Sequence, residues 1–304
     1  MEQLYNDFGH WIRHRFPFRV QKLSVDAGFS CPNRDGRLGT GGCIYCNNET
    51  FSPAYCNRRK SVREQLDDGK KFFSRKYPDM KYLAYFQAFT NTYSSLDNLK
   101  RLYEEALSVD GVVGIVIGTR PDCISDELLD YFQELNRRTF VLVEYGIETT
   151  NDKTLQFINR GHDFACSRRA IEKTSERGIL TGGHIILGLP GEDKEESIRQ
   201  AHDISALPLD ILKIHQLQVI RGTRLARLYE VSPFHLYSVD EYVRLVAEYV
   251  QHLRPSLILE RFVSQSPKEL LVAPRWGLKN YEFTNLLNNY MRENHITQGK
   301  LYIP

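Results

Sequence analysis

Three cysteines in this chain, Cys31, Cys43 and Cys46, stand in the pattern Cys-x11-Cys-x2-Cys. Thiolates are ligands for soft metals such as iron and zinc. Cys43 and Cys46 can grip one centre from a single turn, and glycines at 36, 39, 41 and 42 let the intervening loop curl back and return Cys31 to it. Three thiolates on a four-iron cluster leave one iron without a protein ligand, and an open position marks a catalytic metal rather than a structural one. The structural alternative is zinc, with Cys56 as fourth ligand in Cys-x11-Cys-x2-Cys-x9-Cys. Zinc sites favour two paired knuckles, and only one pair is tight here. That, with the strand pattern described below, weighs toward the cluster. Cys123 and Cys166 stand apart and read as small buried apolar residues.

Further polar residues recur where apolar runs end. Gln87, Thr90 and Asn91 follow one such run, where the bland reading is a turn with an Asn cap. Glu144 and Glu148 differ by an even number of positions in a strand-like run, so alternation puts both carboxylates on one face. There they could hold hydroxyl or ammonium groups, or form ion pairs with Arg120 or Arg160. Lys213 and His215 flank Ile214 and should also share a face. An inward lysine is costly without a partner, which raises the functional weight of the histidine beside it. Arg120, Asp122, Arg160 and His162 complete the polar set available for substrate contact.

These residues need a scaffold, and the chain supplies one by alternation. Apolar, β-branched or aromatic runs at Val20–Val25, Tyr82–Phe86, Val112–Ile117, Phe140–Tyr145, His184–Leu189 and Ile211–Leu217 are nearly continuous, as strands buried on both faces are. Helical patterns fill the gaps. One opens at the capping box Ser61-Val62-Arg63-Glu64 and runs toward Lys76. Others cover Leu96–Ser108, Asp126–Asn136, Phe164–Arg177 with Gly178 as C-cap, and Glu195–Ala206. A second capping box, Ser238 to Glu241, opens a helix reaching Leu253. The pattern predicts an α/β fold, a partial (β/α)6 TIM-like barrel over residues 1–253 with its catalytic loops at the strand C-termini. Residues 254–304, with a strand-like run Leu257–Val263 and a helix near 281–295, read as a short C-terminal extension packed on that barrel.

Bulk properties agree with a globular enzyme-sized chain. Of 304 residues, 41% are hydrophobic and 26% charged, and 40 Lys and Arg against 38 Asp and Glu give a net charge of +2. That balance neither requires nor excludes a nucleic-acid partner. Apolar runs are too short to span a bilayer, and the N-terminus has no secretory pattern, so the expected location is cytoplasmic with no membrane partner. Structural disulfides are rare there, which again directs the cysteine group toward a metal.

The chain from Val25 to Gly36, followed by Gly41-Gly42-Cys43 and Cys46, resembles the YhcC/YtqA-like radical S-adenosylmethionine (SAM) family. That family is related to the radical SAM domain of the elongator catalytic subunit. The likeness continues through Tyr85–Thr92, Gly118–Cys123, Glu144–Thr149, Asn159–His162, His184–Glu192, Lys213–Leu217, Gly222-Thr223 and Pro274–Trp276, covering nearly the whole chain in order. It departs at Tyr145, where Leu is usual, and at Ile147-Glu148, where Leu-Gln is common; a carboxylate can still accept from a ribose hydroxyl. The resemblance implies one [4Fe–4S] cluster on Cys31, Cys43 and Cys46. It implies SAM at the open iron, with Gln87, Thr90, Asn91, Glu144, Glu148, His184, Ile186, Gly188 and Gln216 around it. The implied activity is reductive cleavage of SAM to a 5′-deoxyadenosyl radical, with flavodoxin or ferredoxin as reductant.

The same resemblance points to tRNA, through modification of the wobble-uridine side chain beside a methyltransferase acting on the same base. Arg13 to Arg19 interleaves basic and aromatic residues, and Arg58-Arg59-Lys60, Lys70-Lys71 and Arg75-Lys76 form a basic stretch, either of which could meet RNA or be a solvated face. A small metabolite or peptide is the alternative substrate, and a zinc-stapled binding protein the non-enzymatic one. About fifty residues beyond the barrel are too few for an acetyltransferase domain.

Overall fold

The computed structural model describes residues 3–74, 77 and 79–304. Six parallel strands come first: β1 (Val20–Val25), β2 (Lys81–Phe86), β3 (Val112–Thr119), β4 (Phe140–Glu148), β5 (Leu180–Leu187) and β6 (Ile211–Gln216). A two-residue strand, β7 (Val219–Ile220), leaves the sheet, and β8 (Ile258–Arg261) joins it beside β6. β9 (Leu271–Ala273) pairs antiparallel with β7. The main sheet therefore runs β1-β2-β3-β4-β5-β6-β8, parallel throughout. The helices are α1 (Phe8–Arg15), α2 (Val62–Ser74), α3 (Leu96–Leu107), α4 (Asp126–Asn136), α5 (Asp152–Phe157), α6 (Phe164–Glu176), α7 (Lys194–Ser205), α8 (Arg224–Val231), α9 (Val239–His252) and α10 (Asn280–Glu293). Both capping boxes form: Glu64 and Glu241 each accept from the N-cap backbone N–H at 2.7 Å.

Strand alternation divides the core in two. Leu23, Val25, Ala84, Phe86, Ile115, Ile117, Val141 and Val143 face outward and pack under the helices. Leu83, Tyr85, Val116, Phe140, Leu142, Ile211 and Ile258 face inward, into the curl of the sheet. Phe140, Ile211 and Ile258 are first residues of their strands, so the inner apolar cluster fills the N-terminal end of the barrel. Phe8, Trp11 and Phe16 of the α1 region complete it, with Trp11 and Phe16 at 6.4 and 5.5 Å from the Phe140 ring.

The sheet has seven strands where six were expected, because the run inside 254–304 is β8 itself. Its partner is the last barrel strand, and a buried edge cannot leave its backbone polar groups unpaired. The other side of β8 is covered by the N-terminal segment, through a parallel bridge Asp7–Leu259 and a hydrogen bond from Leu259 N to Asn6 O of 2.8 Å. β5 begins at Leu180, four residues before the expected start. The sequence Leu-Thr-Gly-Gly shows no strand signal, but Gly182 packs where a Cβ would stand 3.0 Å from Glu144 Cγ. The expected continuation of α2 through Arg75 and Lys76 lies outside the described residues.

If α1 seals the barrel as described, Phe140→Ala should cost about 3–5 kcal/mol in urea unfolding, as for other buried aromatic truncations. A loss below about 1 kcal/mol would show that the aromatic seal packs elsewhere.

Candidate functional site

The cysteine loop is pinned from inside. Asn33, 2% exposed, accepts Gly42 N on its backbone carbonyl (2.7 Å) and donates from its side chain to Asn159 O (2.5 Å). Asn159 returns a bond to Gly42 O at 2.8 Å, and Ile44 N donates to Ile158 O at 3.0 Å. The loop is thus fastened to the segment after α5. Cys46 N donates to Cys43 O at 3.1 Å, which puts both cysteines on one turn.

Donors converge on the sulfurs. Asn33 Nδ2 and Arg160 Nη1 lie 3.8 and 3.6 Å from Cys43 Sγ, and Asn48 Nδ2 lies 3.7 Å from Cys46 Sγ. Arg34 donates to Cys46 O at 2.8 Å. Arg160 Nε and Arg120 Nη1 are buried without partners. Burial, with Cys43 beside it, pushes the Cys46 thiol up to about 11, so a metal must displace a proton there.

Cys31, Cys43 and Cys46 line one cavity of about 200 Å³, and Gln87, Thr90, Arg120, Glu144, Glu148, Arg160, His184, Ile186, His215 and Gln216 line it with them. Gln87 follows β2, Arg120 follows β3, and Glu148, Ile186 and Gln216 lie at or beside the C-terminal ends of their strands, so the cavity occupies the end of the barrel opposite α1. Among the described residues, no three His, Cys, Asp or Glu side chains converge tightly enough to close round a single ion. Thiolates round one zinc, with Zn–S near 2.3 Å, must stand about 3.8 Å apart. A cubane takes each cysteine on a separate iron and so suits a wider set. Cys56, the fourth ligand of the zinc reading, is outside the cavity wall and donates its thiol to Ser24 O at 2.9 Å. Three inward cysteines, with donors aimed at the sulfurs of Cys43 and Cys46 and buried cationic nitrogens beside them, fit an anionic iron–sulfur cluster.

Below the cysteines lies a buried charge cage. Glu144, 1% exposed, takes Lys22 Nζ on one oxygen (2.9 Å), and Lys213 Nζ (2.6 Å) and His184 Nε2 (3.0 Å) on the other. Glu260 takes Lys22 at 2.7 Å and Lys213 at 3.5 Å. Tyr85 OH is 3.3 Å from Lys213 Nζ. Burial opposes the Glu144 charge, but Lys213 and Lys22 outweigh it and hold the carboxyl well below its ordinary range. Burial draws Lys213 down to about 8 despite Glu144. Burial also lowers His184 and His215, so both imidazoles are neutral, and His215 stands 3.1 Å from Arg261.

The two carboxylates of β4 have separate lives. A bulge lies between Gly146 and Glu148, and Glu148 sits at φ 70°. Glu148 pairs with Arg160 at 3.4 Å, whereas Glu144 pairs with lysines rather than with Arg120 or Arg160. Gly146 makes room for that first pair, since a Cβ would meet Glu148 Oε1 at 2.5 Å and Arg160 Nη2 at 2.6 Å.

Five candidates lie outside the cavity wall. Asn91 ties to Gly118 O at 2.7 Å and accepts Tyr103 OH on its carbonyl. Asp122 grips Arg120 with both oxygens (2.9 and 2.8 Å) and orients it. His162, pulled by burial to about 3, is neutral and 3.1 Å from Asp163 O. Gly188, at φ 86°, lies against Tyr237. Lys213 serves the cage. Sequence reasoning passed over Asn33, Arg34, Lys22, Tyr85, Glu260 and Arg261. Lys22 and Glu260 carried a signal, since each interrupts a strand-like run at an inward position.

A model of the Radical SAM superfamily matches residues 35–201, and one of the Radical_SAM C-terminal domain matches residues 209–293. The uncharacterized protein YtqA of Bacillus subtilis is 37% identical over 99% of this chain and 94% of its own length. A tRNA uridine(34) acetyltransferase of Methanocaldococcus jannaschii is 25% identical over 67% of this chain and 37% of that protein. The structure of Elp3 from the archaeon Methanocaldococcus infernus, with an N-terminal deletion, superposes with a TM-score of 0.71 at 16% identity. It covers 92% of this chain, which spans 64% of that one, and it shares the fold.

Glu144→Gln keeps the shape of the cage and withdraws its charge from two lysines. It should destabilise the protein by about 3–5 kcal/mol at neutral pH, as removal of one member of a buried pair does. The folded carboxyl is depressed, so its contribution is complete above the unfolded value of about 4.3 and is lost as pH falls below it. In urea titrations the gap between wild type and variant should narrow below about pH 4. A gap that stays constant down to about pH 3 would show that Glu144 is not ionised in the cage.

Proposed function

The chain belongs to the radical SAM superfamily and is an enzyme of that class, and on this premise we propose that it modifies the side chain of a tRNA wobble uridine. In this reading Cys31, Cys43 and Cys46 hold one [4Fe–4S] cluster. The observation that carries it is the convergence of those three cysteines with the polar strand ends on one cavity. When bound, the cluster and SAM supply a reductively generated 5′-deoxyadenosyl radical, which abstracts hydrogen from the substrate.

The chain's own residues then divide the work. Asn33, Asn48 and Arg160 donate to the sulfurs of Cys43 and Cys46, Arg34 holds the Cys46 carbonyl, and the two arginines balance thiolate charge. Gln87, Thr90, Glu148, His184, Ile186 and Gln216 line the cavity where SAM would lie, and Asn91 and Gly188 shape the loops behind them. Glu144 has both oxygens occupied and so holds the floor. Arg120, Arg160 and His215 face the substrate, with Asp122 supporting Arg120, Lys213 supporting the floor, and His162 beside them hydrogen-bonded to Asp163 O.

The uridine reading is favoured by the relative that acts on tRNA uridine(34), whose match covers two thirds of this chain. A flavodoxin or ferredoxin would supply the electron, and a methyltransferase on the same base would follow. Liquid chromatography of nucleosides from tRNA of cells with and without the gene tests it directly. A missing or precursor wobble uridine is expected, and an unchanged profile would send the search to a small metabolite or peptide.

The ligand assignment has its own test. Protein reconstituted without oxygen should show a SAM-responsive cluster signal and form 5′-deoxyadenosine when reduced. Cys31→Ala, Cys43→Ala and Cys46→Ala should each abolish both, and Cys56→Ala should keep both. Loss of the cluster in the Cys56 variant, or zinc without acid-labile sulfide in the wild type, would overturn the three-cysteine site.

A further inference from the structure

Exposed arginines without acidic partners border the cavity. Elsewhere some surface cations are compensated, Lys60 by Asp68, Lys173 by Asp126 and Arg177 by Asp130. Others, such as Arg58, Arg59 and Arg169, form no ion pair among the described residues, so it is position at the cavity that sets the rim apart. Arg221, Arg224 and Arg227 are exposed, and among the described residues none of them forms an ion pair. Arg221 and Arg224 stand beside the cavity's edge. Ile220 lines it, and so does Asn47, whose amide donates to Arg221 O at 3.4 Å. Leu225 N donates to Ile44 O at 2.8 Å, docking α8 on the cysteine loop, and Arg224 lies 3.9 Å from where a Cβ on Gly41 would be. Arg227 follows Arg224 by one helical turn. From the loop itself, Arg34 lines the cavity, and Arg37 is exposed and lies 5.6 Å over the Tyr93 ring. Across these segments five arginines face three carboxylates, Asp35, Glu49 and Glu230.

The basic stretches read from the sequence are placed differently. Arg13 and Arg15 are on α1, whose aromatics seal the opposite end of the barrel. Lys60, Lys70 and Lys71 are spent on Asp68 and Asp67.

We propose that the rim formed by Arg221, Arg224 and Arg227, continued by Arg37, binds the phosphate backbone of a single-stranded RNA loop whose base enters the cavity. This rests on the RNA reading above. The cavity is too small for a folded polynucleotide, so flanking nucleotides must cross its edge. An uncompensated row of arginines is what a polyanion backbone requires there, because each phosphate neutralised releases bound counterions.

The test is fluorescence anisotropy of a labelled anticodon stem-loop with the full-length, cluster-loaded protein, over a range of salt. Replacing Arg221, Arg224 and Arg227 together by serine should weaken binding tenfold or more. It should also lower the salt slope by about 2, since a single-strand phosphate contact contributes about 0.7. The triple lysine replacement should restore most of the affinity, because the backbone reads charge. Arg13→Ser with Arg15→Ser should bind as the wild type does. Serine variants that bind like the wild type, lysine variants as weak as the serine ones, or an equal loss from the α1 pair would each overturn the rim. A wild type that binds no RNA at any salt would instead overturn the RNA reading, and the rim with it.

Discussion

The Glu144 carboxylate, held between Lys22 and Lys213, is the constraint on which the rest of the structure turns. Lys22 is on β1 and Glu260 on β8, the two edges of the seven-stranded sheet, and they meet at 2.7 Å. A parallel sheet has no hydrogen-bonding reason to close on itself here. Side chains close it instead, with two carboxylates and two ammonium groups in balance across the lumen. Burying four charges is expensive, and replacing such a set by apolar residues is often neutral or better for stability. What the cage provides is position. It separates an apolar end, sealed by α1, from a polar end that opens to the cysteines.

Above that floor the loop chemistry depends on amides. Asn33 and Asn159 exchange bonds with each other's backbone segments, so the turn carrying Cys43 is tied to the chain after α5. The same segment delivers Arg160, which reaches Cys43 Sγ, Gly146 O and Glu148. One short stretch therefore fixes both the loop and its electrostatic complement. Arg120, oriented by Asp122, donates to Arg160 O and links β3 to the same unit.

Much of this was legible in the sequence. Continuous apolar runs gave six strands to within a few residues, since strands buried on both faces have few other patterns available. Capping boxes placed two helix starts. The seventh strand was visible as a run at Leu257–Val263 but was assigned to the extension, because nothing local says which sheet edge a strand will join. The cysteine spacing was readable, and the fold brings all three side chains to one cavity. The cage was not, since it joins residues from β1, β4, β5, β6 and β8 that only the curl of the sheet brings together. Even spacing put Glu144 and Glu148 side by side, and a bulge separated their partners. Basic residues near α1 looked fit for RNA, but a charge run does not report which end of a barrel it occupies.

The placement of charge also explains how one lumen serves two environments. Around the sulfurs stand Arg34, Arg120 and Arg160, with two buried nitrogens lacking partners, so negative charge is favoured there. At the floor the lysines are neutralised by Glu144 and Glu260, and the imidazoles of His184 and His215 are kept uncharged by burial. At the cysteine end Arg120 and Arg160 are paired with Asp122 and Glu148, and Arg34 forms no ion pair among the described residues. In a low-dielectric site a charge acts strongly over a short range, so each end of the lumen is governed by its own pairs. The cysteine end, with its unpartnered arginine nitrogens, therefore suits an anionic group against the strand termini that line the cavity.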